Sequence, residues 1–382
     1  MPLDAASAAR YARQLTLPEL GVAGQARLAA ARVVIVGVGG LGSPIAMYLV
    51  GAGVGTVTLV DDDQVALHNL HRQLLYTEAD VGRRKVDVAA DALCARNASV
   101  TVHRVGARVT ASNAEAIIDG HDLVIDGTDT LPTRYALTDA CRTLGIPLVY
   151  GSVSRLEGQV SVFGLGDGPC YRCLFPVMPA AELAPSCAEQ GVLGVVPGTI
   201  ALLQATEALK LLTGIGEPIS GRLLHIDLAR GAVHTFQIAV RPDCPCRAPA
   251  AVAARRAWAE RSSMTTPSHP VVPQLTATEV HALLSGPTPP RLIDVREAWE
   301  FTRAHIAGAE LISMGSIPLA VQPGGALAAV ARDTPLIIQC HHGGRSNQVA
   351  HFLAGQGFTQ VMNFDGGIDA WSIEVDPAVP RY

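Results

Sequence analysis

Cys340 opens the run Cys340-His341-His342-Gly343-Gly344-Arg345. The apolar stretch 335–339 (PLIIQ) before it reads as a strand, and 347–355 after it as a helix. A thiol between a strand end and a helix start sits among backbone N–H groups, and both the helix dipole and Arg345 favour its anion. Such surroundings lower a thiol pKa from about 8.5 into roughly the 3.5–7.5 range. The same cradle stabilises the outer, anionic sulfur of a persulfide. The bland alternative is an inert buried cysteine, and the nearer rival is a phosphatase loop. Arg345 follows Cys340 by five positions, one short of phosphatase spacing, which suits a group smaller than phosphate.

A second stretch, 33–42, reads VVIVGVGGLG. Its β-branched start predicts a buried strand, its glycines a tight turn, and 43–50 a helix. Strand, glycine turn and helix together aim backbone N–H groups at a phosphate. The next strand, 56–60, ends at Asp61, where a nucleotide-binding sheet places its ribose-binding acid. NAD, ATP and a purely structural turn are the three readings. Arg72 and Lys85 follow soon after, and a triphosphate needs such cations, which moves the reading towards ATP. The strand 122–126 (DLVID) leads into Gly127-Thr128-Asp129-Thr130. A carboxylate at that point holds a magnesium ion or caps a helix.

The eight cysteines are placed for metal and thiol chemistry rather than for a disulfide scaffold, which indicates a reducing, cytoplasmic setting. Cys170 and Cys173 form a C-x-x-C pair, and Cys244 and Cys246 a C-x-C pair. Four thiolates from two close pairs suit a tetrahedral structural zinc site. Closing the loop between them costs about 4 kcal/mol, which zinc binding of ~10 kcal/mol or more outweighs. A redox C-x-x-C is the rival, although Pro169 and Tyr171 give little sign of the helix such a pair opens. Cys187 lies in a polar, glycine-flanked loop, where it is either a nucleophile or an inert small side chain.

These sites need a scaffold, and the composition permits one. The chain has 382 residues, 49% hydrophobic and 16% charged, enough for two or three domains with large cores. The net charge of −5 points away from nucleic acid and from membrane surfaces. Residues 33–60 carry no charge and match a membrane span in length, but their glycines fit strand–turn–helix–turn–strand. No signal peptide is visible at the N-terminus. Residues 1–30 read as helical, and Arg13 alone reads as part of a solvated face. Further strands are expected at 99–105, 146–153, 159–163, 222–227, 233–240 and 291–295, with helices at 86–96, 199–212 and 276–284. The stretch 247–270, rich in Ala, Arg, Ser and Pro, reads as a linker with one short helix. The expected domains are therefore 1–246 and 271–382: α/β throughout, a Rossmann-like nucleotide-binding domain with a mixed sheet and a smaller α/β domain.

Arg10-Tyr11-x-Arg13-Gln14, Gly37-x-Gly39-Gly40-Leu41-Gly42, Asn69-Leu70-x-Arg72-Gln73, Lys85, Thr128-Asp129 and the paired cysteines resemble the MoeB/ThiF adenylyltransferases, bacterial relatives of the ubiquitin-activating enzyme. Asp294–Glu297 and the Cys340–Ser346 loop resemble a rhodanese domain. The fused pair is similar to the molybdopterin-synthase adenylyltransferase/sulfurtransferases. The resemblance implies ATP-dependent adenylation of the C-terminal Gly-Gly of a ubiquitin-like sulfur carrier, then thiocarboxylate formation. It implies that Gly39, Gly40, Asp61, Asn69, Arg72, Lys85 and Thr130 contact ATP, and that Asp129 binds Mg2+. Arg13 would reach the nucleotide across a homodimer interface. Cys340 would carry the persulfide within the loop to Arg345, and Cys187 would form a thioester or acyl disulfide. Cys170, Cys173, Cys244 and Cys246 would hold Zn2+. Thr130 stands where the family usually has Asn. Molybdopterin, thiamine, cysteine, thiolated-tRNA and siderophore synthesis are all open as the pathway, as is the sulfur donor.

Overall fold

The computed structural model describes residues 4–179, 191–262 and 272–382. Cys187 lies outside them. The described chain forms two compact units, residues 27–266 and residues 1–26 with 267–382.

In the first unit, short β-branched runs become strands, the central parallel ones largely buried and the two edge strands largely exposed. They are β1 (Arg32–Val36), β2 (Thr56–Val60), β3 (Thr101–Val105), β4 (Leu123–Asp126), β5 (Leu148–Ser154), β6 (Glu157–Phe163), β7 (Arg222–Asp227) and β8 (Ala232–Gln237). The sheet order is β3-β2-β1-β4-β5-β6-β7-β8. The first five strands run parallel, and β6 to β8 continue antiparallel. The register sets Val36 beside both Val60 and Asp126. Gly37, Asp61 and Gly127 therefore leave the sheet at one level, and that edge becomes the mouth of a cleft.

The uncharged run 33–60 is β1, the helix Gly42–Ala52 and β2, as its glycines indicated. Among the described residues, one helix, Val195–Thr213, is long and apolar enough to cross a membrane, and half of its apolar stretch is buried inside the protein. The stretch read as a linker holds a larger element than expected, the helix Pro249–Ser262. Its Trp258 is buried, and the indole N–H donates to Asp122 O at 2.8 Å. Gly145 makes room for this helix, since a Cβ there would strike the backbone of Ala254.

The second unit has the all-parallel order β11-β10-β12-β13-β9. These strands are β9 (Gln274–Leu275), β10 (Arg291–Asp294), β11 (Glu310–Leu311), β12 (Leu336–Gln339) and β13 (Val361–Phe364). The N-terminal residues, assigned by sequence to the first domain, belong to this unit as far as Ala26. Ala8, Tyr11 and Leu15 share one face by helical spacing and join the core of Ile317, Val321 and Phe352.

Candidate nucleotide cleft and thiol sites

At the C-terminal ends of the parallel strands lies a cleft of about 360 Å³. Gly37, with φ +86°, turns the chain out of β1, and a Cβ there would lie 2.6 Å from Gly127 O. Gly39, Gly40, Asp61, Arg72, Lys85, Asp129 and Thr130 all line the cleft. Asn69 is buried and reaches it through Arg72, whose Nη2 donates to Asn69 Oδ1 at 2.7 Å.

Asp61 braces the glycine turn from the end of β2. Its carboxylate accepts from Val38 N at 2.7 Å and from Asp63 N at 2.8 Å. Burial pushes its pKa up, against the opposing charge of Lys85. Lys85 is itself buried, with Nζ 2.8 Å from Asp63 Oδ2. The bland reading of Asp129 as a helix cap is not met. Thr130 occupies the N-cap of Leu131–Leu144, without a side-chain cap bond. Asp129 is exposed at the cleft, and its carboxylate takes no hydrogen bond among the described residues. A hard, unengaged carboxylate beside a phosphate-sized space fits a magnesium ion.

Two cleft residues, Arg134 and Arg108, were passed over by sequence reasoning, and a third, Gln73, was quoted within a motif without a role. Arg134 Nε donates to Asp126 Oδ2 at 2.8 Å, and its Nη2 to Thr128 O at 3.0 Å, fixing the turn that carries Asp129. Its signal was an arginine one helical turn after Thr130. Arg108 pairs with Asp62 at 3.1 Å. Gln73 is buried beside Gly39 with its Oε1 unpartnered. Arg13 is exposed on the helix Ala12–Leu15, in the other unit, and is not among the residues lining the cleft.

The four paired cysteines come together in the first unit. All are buried, and their sulfurs lie within 4.8 Å of one another. Cys170 Sγ is 3.4 Å from Cys244 Sγ, and Cys173 Sγ is 3.6 Å from Cys246 Sγ. Disulfide sulfurs lie ~2.05 Å apart. Ligands at about 2.3 Å around a tetrahedral zinc lie ~3.8 Å apart, so the donor set fits zinc. The tight C-x-C spacing is accommodated by a 3-10 turn, Pro245–Arg247. A one-turn helix does open at the C-x-x-C pair, contrary to the sequence reading. It does not restore the redox alternative, because each of its cysteines faces a thiol of the other pair. Burial and the neighbouring thiols push Cys246 up to about 12.

In the second unit, Cys340 lies at the end of β12, directly before the loop to the helix Gly344–Gly355. Gly343, at φ +91°, turns His341 and His342 into that helix. The Cys340 sulfur is buried and accepts from Ser346 Oγ at 3.3 Å. Arg345 is engaged differently from the sequence expectation. Its Nη1 and Nη2 each donate at 2.7 Å to the buried Glu300 carboxylate. Tyr382, also missed, donates from its hydroxyl to Glu300 Oε1 at 3.1 Å. These donors outweigh burial and hold Glu300 down at about 2. The one sequence cue to Glu300 was its place in a capping box with Glu297.

A glycine-turn nucleotide cleft with a thiol cluster, accompanied by a strand–cysteine–helix unit, defines an ATP-using activating enzyme coupled to a sulfur-transfer module. The ThiF family model matches residues 11–247, and the rhodanese-like domain model residues 276–374. The chain belongs to the ThiF family, fused to a rhodanese-like domain, and is an adenylyltransferase and sulfurtransferase. It is 38% identical over 98% of its length to adenylyltransferase and sulfurtransferase MOCS3-1 of Zea mays, covering 83% of that protein. It is 47% identical over 64% of its length to SAMP-activating enzyme E1 of Haloferax volcanii, covering 90% of it. The crystal structure of E. coli MccB with ATP superposes with a TM-score of 0.54 at 22% identity, covering 59% of this chain and 69% of that one. That last likeness is one of fold.

Proposed function

We propose that the chain adenylates the C-terminal glycine of a small ubiquitin-like sulfur carrier, and that sulfur held on Cys340 then displaces AMP to give a thiocarboxylate. The observation that carries this reading is the gathering of Gly39, Gly40, Asp61, Arg72, Lys85 and Asp129 around one cleft. A carboxylate oxygen of the carrier attacks the α-phosphorus, and pyrophosphate leaves. Arg72 and Lys85 neutralise the phosphates, Asp61 holds the ribose, and the Gly39–Gly40 backbone admits the phosphates closely. These residues act by positioning and charge. Asn69 keeps Arg72 in place, and Thr130 adds a hydroxyl beside Asp129. Asp129 would hold a magnesium ion, which supplies further neutralisation of the leaving pyrophosphate. Arg13 of a second copy completes the site in a homodimer.

Cys340 carries the outer sulfur, and the loop His341, His342, Gly343, Gly344, Arg345 shapes the space around it. Attack of that sulfur on the acyl carbon releases AMP and joins the carrier to Cys340 through an acyl disulfide; a thiolate then attacks the Cys340 sulfur, the thiocarboxylate leaves, and an external thiol reduces the disulfide that remains. Cys187 is the second thiol, forming a thioester or an acyl disulfide with the carrier. Cys170, Cys173, Cys244 and Cys246 would hold a structural zinc ion, which cross-links the segments after β6 and β8. The setting is cytoplasmic, where these thiols remain reduced.

The test is to trap the covalent adduct between the chain and Gly-Gly-ended carriers in the presence of ATP, then to map its cysteine. An adduct on Cys340 or Cys187 supports the reading. Adducts on neither, with pyrophosphate released, overturn the sulfur-transfer half.

A further inference from the structure

The chemistry around Cys340 rests on a residue far from it in sequence. Two ion pairs flank the loop, one fully buried and one in which only the carboxylate is buried. Arg296 and Asp294, both fully buried, pair at 2.6 Å, and Arg345 pairs with Glu300. One group joins the two pairs. The Tyr382 hydroxyl accepts from Arg296 Nη1 at 2.5 Å and donates to Glu300 Oε1 at 3.1 Å. The Tyr382 ring stacks on His341 at 4.5 Å, and His341 stacks in turn on His342 at 4.0 Å. Glu300 thereby receives four donors: two from Arg345, one from Tyr382 and one from Glu297 N at 3.0 Å. A carboxylate offers about four lone-pair sites, so the set is complete and Arg345 is held in one orientation.

We infer that Tyr382 is a positioning residue for sulfur transfer: its hydroxyl locks Glu300, and through Glu300 the orientation of Arg345 beside the Cys340 sulfur. The inference rests on the reading of Cys340 as the persulfide carrier. Without the hydroxyl, Arg296 Nη1 loses an acceptor and Glu300 Oε1 a donor, and buried groups left unpaired drive rearrangement. The phenol ring alone, kept in place by His341, cannot substitute. A packing role would reside in the ring, and the proposed role resides in the oxygen.

The experiment uses the full chain with thiosulfate and cyanide. The Cys340 thiolate attacks the outer sulfur of thiosulfate, sulfite leaves, and cyanide removes the sulfur as thiocyanate, restoring the thiolate. Tyr382→Phe is expected to lower kcat about tenfold while melting with the wild type; Tyr382→Ala is expected to do no less. Glu300→Gln is expected to reproduce the loss, and the double variant Tyr382→Phe/Glu300→Gln to be no slower than Glu300→Gln alone. Wild-type kcat in Tyr382→Phe overturns the inference, as does additivity in the double variant. Tyr382→Phe that transfers normally while Tyr382→Ala fails assigns a packing role to the ring, and also overturns it. Retained transfer in Cys340→Ala instead overturns the reading beneath it.

Discussion

Arg134 and Asp126 form a buried ion pair at 2.8 Å beneath the turn that carries Asp129. Burial opposes the arginine's charge, but Asp126 and the faces of Tyr150 and Tyr171 hold its pKa above the ordinary value. Gln204 Nε2 adds a bond to Asp126 O at 2.7 Å. The pair thus connects the end of β4 to the helix Val195–Thr213 and to the cleft. Arg134→Met leaves Asp126 buried and uncompensated. The expected cost is about 3–5 kcal/mol in denaturant unfolding of the first unit, with pyrophosphate exchange lost alongside. A cost under ~1 kcal/mol contradicts the bracing role.

Asp129→Ala should abolish pyrophosphate exchange and leave thiosulfate-to-cyanide transfer at the wild-type rate. Asp129 lines the cleft of the first unit, while Cys340 lies in the second. Loss of both activities contradicts the assignment of separate chemistries to the two units.

Glu300 makes acid stability specific. Its folded pKa, about 2, lies below the ordinary 4.5, chiefly through Arg345. A depressed carboxylate contributes stability that is complete above the unfolded value and disappears as pH falls through the folded one. Unfolding of the second unit should therefore lose stability between pH 4.5 and about 2. Glu300→Gln should flatten that slope, measured by denaturant midpoints across the window. An unchanged slope removes Glu300 as the cause.

The thiol cluster predicts one zinc per chain in freshly purified protein. Titration with a mercurial should release it and lower the melting temperature. Cys246→Ser should reduce the bound metal, since it withdraws one of the four sulfurs. Metal analysis that finds none contradicts the site.

Much of this was legible where the signal was local. β1 and β2 follow from β-branched runs, and Asp61 from its place at the end of β2. The Cys340 loop follows from glycines between a strand and a helix. The helical spacing of Ala8, Tyr11 and Leu15 marks a buried face, but nothing local says which core receives it. The helix Pro249–Ser262 was obscured by its Ala- and Arg-rich composition, and its docking depends on Gly145 and Asp122, distant in sequence. Tyr382 and Glu300 are 82 residues apart, so no pattern links them before the chain folds. The two-residue strands β9 and β11 are too short to show a period.

Carrier-dependent exchange of labelled pyrophosphate into ATP tests the central claim most directly. With ATP, magnesium and a ubiquitin-fold carrier ending in Gly-Gly, label should enter ATP, and it should cease when the terminal glycine is removed. Exchange that proceeds equally without the carrier's last glycine, or no exchange with any such carrier, contradicts the account.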